Sequence, residues 1–284
     1  MNILEEIVSK KNKAIKVRER TKKFISLSNA IKNKNKKGYL ALISEIKSKS
    51  PSQVDLRKIQ DAVSIAKIMQ DNGAAAISVL TEENYFGGNI ETLIKISEKI
   101  TLPLLRKDFI TSEAEIEESY NCNADIVLLI VGLLKDRTGN LLNQCDDKGL
   151  EALVEIHNEP ELKIALDTGA KILGINNRDL ATMKIDLETT GRLIELIPRN
   201  KIVWHPIINY EKCTTCGKCV DFCHMKAFGF EGKGKKKKTS VANLNACVVM
   251  CRGCEDICPA GAISHPSEEE TEKSIKKLQE AALT

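Results

Sequence analysis

Residues 39–52 read YLALISEIKSKSPS, and the chain up to Trp204 repeats the plan that this stretch begins. Leu40 to Ile46 is short and apolar enough to be a strand buried on both faces of a parallel sheet. Side chains alternate along a strand, so Glu45 and Lys47 face the same side as Ala41 and Ile43, and Ser50-Pro51-Ser52 turns the chain just beyond. A carboxylate and an ammonium turned inward at the C-terminal end of a strand are costly to desolvate unless paired or used. A structural ion pair and a working pair both remain open on spacing alone.

Downstream, a helix is expected over Leu56–Asn72, stopped by Gly73 where a left-handed residue is needed. Strands are expected at Ala75–Thr81, Pro103–Lys107, Asp125–Val131, Glu151–His157 and Lys171–Asn176. Between and after them lie helical segments at Asn89–Lys99, Ser112–Asn121, Gly139–Lys148, Glu159–Thr168 and Leu187–Leu196. Upstream, Ile3–Ile31 carries apolar residues at helical spacing and reads as one or two surface helices. Strict alternation of short strands with helices favours a parallel (β/α) barrel over a doubly wound sheet, and no glycine-rich dinucleotide loop follows the first strand. Chemistry in such barrels sits at the C-terminal strand ends. Here those ends carry Glu45 and Lys47, Thr81 with Glu82 and Glu83, Lys107 with Asp108, Glu155 with His157, and Asn176, Asn177 and Arg178.

With 284 residues, 42 % apolar and 29 % charged, the chain suffices for one large core and a small second unit. Its net charge of +4 does not call for nucleic acid, because the excess sits in the lysine-rich stretches Lys10–Lys37 and Lys233–Lys238. The sequence shows neither a signal-peptide pattern nor an apolar run near the ~20 residues of a membrane span, so a cytoplasmic protein without membrane contact is expected. In that compartment ten cysteines point to thiolate ligands rather than disulfides, and eight of them fall between Cys213 and Cys258. Cys122 and Cys145, outside that region, read as inert packing thiols.

The segments SEIKSKSPS, AISVLTEENYFGGNIETL, LPLLRKDFI, ADIVLLIV, LEALVEIHNEPEL and LGINNRDL, in this order and spacing, resemble indole-3-glycerol phosphate synthase of tryptophan biosynthesis over about Ile3 to Val203. The resemblance implies a carboxy-lyase with a small phosphorylated substrate, 1-(2-carboxyphenylamino)-1-deoxyribulose 5-phosphate, which undergoes ring closure, decarboxylation and dehydration. It implies Lys107 as the acid that donates to the ketone oxygen during ring closure and Glu155 as the base of the dehydration, with Lys47 and Glu45 as the adjacent pair. Arg178 and Asn176 resemble the family's substrate contacts, the guanidinium suiting a planar carboxylate, and Ser50 matches the serine of its SPS loop. A salt bridge to Asp179 or a nearby carboxylate is the structural alternative for Arg178. His157 is expected in a supporting or solvent-facing position.

The resemblance stops at the sixth strand-helix unit. Family members continue with a seventh strand ending in Glu-Ser-Gly and an eighth ending in Gly-Ser, segments that supply a catalytic glutamate and most of the phosphate cradle. KIVWH at Lys201–His205 could open a seventh strand, but Pro206 and the cysteine region follow. The first domain is therefore expected over 1–205 as an incomplete parallel (β/α)8 TIM barrel with two free sheet edges, completed by a further chain or fragment if anything covers them.

Cys213, Cys216, Cys219 and Cys223 follow C-x2-C-x2-C-x3-C, and Cys247, Cys251, Cys254 and Cys258 follow C-x3-C-x2-C-x3-C with Pro259 behind. These runs resemble a bacterial two-cluster ferredoxin. That likeness implies a small α+β domain over 206–284 with two [4Fe-4S] clusters, one on Cys213, Cys216, Cys219 and Cys258 and the other on Cys247, Cys251, Cys254 and Cys223. Zinc is the competing reading of the cysteines. His224 stands where the family has proline, and the second run has one extra residue. Lys233–Lys238 reads as a solvated hairpin turn or a docking patch for an acidic redox partner protein, and Pro266–Leu283 as a charged helix capped by Ser267. Two functions compete: a synthase with an attached electron-transfer domain, or an electron carrier whose barrel is an impaired scaffold.

Overall fold

Alternating apolar runs and amphipathic segments fold, in the computed structural model, into six parallel strands with helices between them. Residues 3–11, 18–49, 61–180, 183–197, 204–232, 234, 237–247, 251–267, 269–271 and 273 are described. The chain divides into two compact units, Met1–Ala30 with Leu42–Leu196, and Ile31–Ala41 with Ile197–Thr284.

In the first unit the strands β1 (Ile43–Ile46), β2 (Ala76–Leu80), β3 (Leu104–Lys107), β4 (Ile126–Ile130), β5 (Glu151–Ile156) and β6 (Ile172–Ile175) pair in chain order, each parallel to the next. Among the described residues β1 and β6 are its edges. Helices α1 (Ile3–Lys10) and α2 (Leu27–Lys36) precede the sheet; α3 (Ala62–Asp71), α4 (Ile90–Ser97), α5 (Glu113–Asn121), α6 (Val131–Leu134), α7 (Thr138–Lys148), α8 (Glu159–Asp167) and α9 (Glu188–Leu196) follow its strands. This is the expected incomplete barrel. Its openness is written in the burial pattern: every residue of β2 and β4 is buried, β5 alternates, and no residue of β6 is fully buried. Closing a barrel packs its interior side chains against the far wall, and Leu153 and Glu155 on the inner face of β5 have no complete wall to meet.

Local chemistry sets the helix ends. Ser112 and Glu115 form a reciprocal capping box on α5, Asn158 caps α8 with Pro160 in its first turn, and Gly149 ends α7 at φ 72°. The first turn of α2 is capped from a distance, since the Glu151 carboxylate accepts from Ser26 Oγ and from the amides of Leu27 and Ser28. At the foot of the sheet, fully buried Asp125 accepts from Arg20, Lys22 and the amides of Ile25 and Leu104, tying the N-terminal segment to β3 and β4. On the rim side, Gly88 lies so close to the end of β2 that a Cβ there would fall 2.4 Å from the Leu80 carbonyl oxygen.

In the second unit, β7 (Ile207–Ile208) pairs antiparallel with β10 (Ile263–Ser264), and β8 (Phe228–Glu231) forms a hairpin with β9 (Lys238–Val241). Short helices α10 (Lys218–Phe222) and α11 (Gly253–Asp256) complete it. Gly253 shows why segment 31–41 belongs here, because a Cβ on it would lie 2.6 Å from Gly38 Cα and 2.9 Å from the Phe222 ring. The seventh strand anticipated at KIVWH is not formed by Trp204 and His205; Lys201–Val203 lie outside the described residues. Ser267 and Glu270 cap one another at the start of the anticipated last helix.

Candidate functional site

Strand register brings the predicted rim residues together. Glu45 on β1 is level with Ser78 on β2, which is level with Leu105, so Lys107 sits two residues further along β3 on the same face. From there Lys107 Nζ reaches Glu45 Oε2 at 2.6 Å, while Lys47 Nζ reaches Glu45 Oε1 at 2.7 Å. One carboxylate thus holds two ammonium groups, all three side chains being partly exposed at the mouth. Burial pushes the Glu45 carboxyl up, but the ammonium groups of Lys107 and Lys47 outweigh it and leave it below its ordinary value.

Across the sheet, Glu155 on β5 is level with Gly174 on β6, and Asn176 just beyond donates from Nδ2 to Glu155 Oε1 at 3.1 Å. The Asn176 side chain also accepts the Arg178 amide at 3.0 Å, and Arg178 forms an isolated antiparallel bridge with Ile185. Ser50 lies outside the described residues.

Not every polar residue at a strand end belongs to the mouth. Buried Glu82 accepts from the amides of Asn84, Tyr85 and Phe86 and shapes the loop after β2. Asp108 is buried among Thr81, Arg106 and Lys11, the cations overriding burial to keep its carboxyl low. His157 is not solvent-facing: its side chain is 7 % exposed and lies between Glu155 and Glu161.

In the second unit the thiols sort across the two runs. A small cavity is lined by Cys213, Cys216, Cys219 and Cys258, with Pro259 and Ile208 beside them. The other set is coupled electrostatically: burial and the neighbouring thiols of Cys251 and Cys223 push Cys247 up to about 12, and burial with Cys247, Cys251 and Cys223 pushes Cys254 up. Among the described residues no three of the His, Cys, Asp and Glu side chains converge tightly enough for a single metal ion, whereas four thiols around a cavity suit an iron–sulfur cluster. Backbone amides also point at the sulfurs, Ala262 N–H donating to Cys258 Sγ at 3.3 Å, and the Lys218 amide lowering the Cys216 thiol.

One arrangement here has no sequence signal. His265 lies with Nε2 3.8 Å from Cys254 Sγ and 3.9 Å from Cys247 Sγ, and its Nδ1 is 2.7 Å from Glu255 Oε1. Trp204 stacks on this imidazole at 5.3 Å, donates Nε1–H to the Cys251 carbonyl, and carries the Arg252 guanidinium over its ring. The Trp204 contacts join residues 47 to 61 positions apart, beyond what local spacing can announce. Cys122 and Cys145 are buried thiols whose pKa values are raised chiefly by burial, as inert packing groups should be.

Comparison with known proteins assigns both regions. A family model described as indole-3-glycerol phosphate synthase matches residues 2–207, and one described as a 4Fe-4S dicluster domain matches residues 212–274. The indole-3-glycerol phosphate synthase of Methanocaldococcus jannaschii is 42 % identical over 223 residues, covering 71 % of this chain and 83 % of that protein. That of Caldanaerobacter subterraneus subsp. tengcongensis is 43 % identical over 208 residues, covering 71 % and 81 %. That of Dehalococcoides mccartyi is 46 % identical over 184 residues, covering 63 % and 70 %.

Proposed function

The chain belongs to the indole-3-glycerol phosphate synthase family and carries a 4Fe-4S region, and from that premise we propose how its own residues divide the work. The reaction is that of a carboxy-lyase: a phosphorylated anthranilate-derived ribulose closes a ring, loses carbon dioxide and then water. The observation that carries the assignment of roles is the shared carboxylate of Glu45, which fixes the heads of Lys47 and Lys107 at one strand-end rim.

In this reading Lys107 is the acid. Its ammonium donates to the ketone oxygen as the aromatic carbon attacks, so that the developing alkoxide is neutralised where it forms. Glu45 aims that ammonium and keeps Lys47 beside it. Glu155 takes the proton whose removal lets the hydroxyl leave, with Asn176 steadying its Oε1. Arg178 offers two parallel N–H groups to the substrate carboxylate, and Ser50 belongs to the loop that contacts substrate. The phosphate has fewer partners than in a complete barrel, since the segments after strands seven and eight are not in this sequence. A chain or fragment that pairs with the edges β1 and β6 would supply them.

We place the boundary between the synthase-like part, 1–205, and the ferredoxin-like part, 206–284, at the seam after His205. Two [4Fe-4S] clusters fit the latter, one on Cys213, Cys216, Cys219 and Cys258, the other on Cys247, Cys251, Cys254 and Cys223. Bound clusters would supply one-electron transfer. The ring closure exchanges no net electrons, so bound clusters would serve a separate redox partner protein, for which the exposed Lys237 and Lys238 offer a docking patch for acidic groups. No helix among the described residues is long and apolar enough to cross a membrane, and a cytoplasmic enzyme fits the thiolate usage.

The test is turnover of the synthetic substrate by the pure chain, followed by indole fluorescence. Product should form at least about a hundredfold more slowly than with a complete synthase, from the loss of one or two oriented contacts. Lys107→Ala should abolish it with a modest effect on binding, whereas Arg178→Ala should mainly weaken binding. Equal turnover by Lys107→Ala and the parent would refute the acid assignment.

A further inference from the structure

The imidazole of His157 is used by none of the steps above, yet it is one of the most tightly framed groups at the mouth. It follows Glu155 by two residues, on the same face of the chain, just past the end of β5. Its Nδ1 lies 2.9 Å from Glu161 Oε2, and the same oxygen accepts the His157 backbone N–H at 2.9 Å. Glu161 is itself fixed: its amide donates to Asn158 Oδ1 at 3.0 Å, and its Oε1 accepts from Asn158 Nδ2 at 3.0 Å. Gly132 leaves room for that carboxylate, since a Cβ there would stand 2.9 Å from Glu161 Oε1.

The other ring nitrogen faces the candidate base. Nε2 is buried and lies 3.3 Å from Glu155 Oε1, yet among the described residues it has no aligned hydrogen-bond partner. The two described contacts of the Glu155 carboxylate, from Asn176 Nδ2 and from His157 Nε2, both fall on Oε1. Resting on the reading of Glu155 as base, we propose that His157 is a positioning residue: anchored by Glu161, it holds Oε1 of Glu155 so that Oε2 is the oxygen presented to the substrate.

The proton balance is simple. The substrate C–H proton goes to Oε2, the electron pair of that bond becomes the new ring double bond, and the departing hydroxyl takes its proton from an ammonium of the rim. No proton moves to or from His157. The charged groups facing its ring are Glu155 and Glu161; burial favours the neutral imidazole, but the two carboxylates prevail and raise it to about 9. A cation fixed beside Oε1 gives the Glu155 carboxylate a charged partner on that oxygen alone.

The experiment follows the His157 imidazole by 15N NMR titration of the full chain, alongside turnover. In Glu155→Gln and in Glu161→Gln the imidazole should titrate at lower pH than in the parent, because each removes one of the two carboxylates that face it. In His157→Ala turnover should fall about tenfold or more with KM changed less than about twofold, as expected when an oriented contact to the reacting group is lost. His157→Asn, which keeps a donor without the charge, should restore part of kcat. Glu161→Gln should leave the thermal midpoint close to that of the parent. Turnover of His157→Ala equal to that of the parent, or an imidazole titration unmoved by Glu155→Gln, would overturn the proposal, even if stability fell. An imidazole titration that moves in a Glu155→Gln variant with the parent's turnover would uphold the contact and sink the base assignment instead.

Discussion

Cys223 belongs to the first cysteine run in sequence and to the second in space, and that crossing sets an exact expectation for its removal. Its neighbours in the fold are Cys247, Cys251 and Cys254, while the cavity of the first run is closed by Cys258. If each set of four thiolates holds one [4Fe-4S] cluster, the parent carries about eight irons, and Cys223→Ala should keep about four. The decisive quantity is non-additivity. The double variant Cys223→Ala, Cys251→Ala removes two ligands of one set and should still keep about four irons, whereas Cys223→Ala, Cys213→Ala strikes both sets and should keep almost none. Iron and acid-labile sulfide are counted on anaerobically purified protein, with electron paramagnetic resonance of the reduced samples to separate the clusters. Cys122→Ser and Cys145→Ser, which alter thiols buried in the first unit, should leave the count unchanged. The reverse pattern, with the double at Cys223 and Cys251 empty and that at Cys223 and Cys213 half full, would refute the crossed sets. Zinc without sulfide would refute the clusters altogether.

Two further outcomes test the barrel. Asp125→Ala strips the partner from Arg20 and Lys22 and two acceptors from buried amides, and should cost about 3–5 kcal/mol in urea unfolding of the first unit; a loss under about 1 kcal/mol would show that the N-terminal segment is held elsewhere. Glu45 has its folded pKa lowered, so its contribution to stability is present above the unfolded value of about 4.3 and is lost as pH falls through the lower folded value. The stability gap between the parent and Glu45→Gln should therefore close on acidification below about pH 4, and a gap that persisted at pH 2 would contradict the ion pairs.

Much of this was legible from the residues. The strands begin and end within a residue or two of where their apolar runs do, except β1, where Leu40 and Leu42 are exposed and the ladder starts only at Ile43. The extra helix α6 was not, because IVLLIVGLL passes from strand to helix at Ile130–Val131 without a change of hydrophobicity; Lys135 at φ 51° marks its end. At the strand ends, inward parity anticipated the contacts of Lys107 with Glu45 and of Asn176 with Glu155. Parity also held the clue to His157, two residues past Glu155 and four before Glu161, but which face Glu161 would turn depends on how α8 docks. The Trp204–His265 stack depends on the fold of the second unit alone, and no pattern along the chain encodes it.

The two edges of the sheet have a mechanical consequence. In a closed ring of strands every pair of rim residues is joined by two hydrogen-bonded paths, one in each direction, and an angular error in one is resisted by the other. Within this sheet Glu45 on β1 and Arg178 beyond β6 are joined by a single path of five ladders in series, so small changes of twist between neighbouring strands add rather than cancel. Compliance is thus distributed unevenly over the mouth. Glu45 with Lys107, two ladders apart, and Glu155 with Asn176, one apart, remain stiff local couples, while the span from Lys107 to Arg178 is soft. A ligand that touched both ends would have to set that span itself, out of its own binding energy.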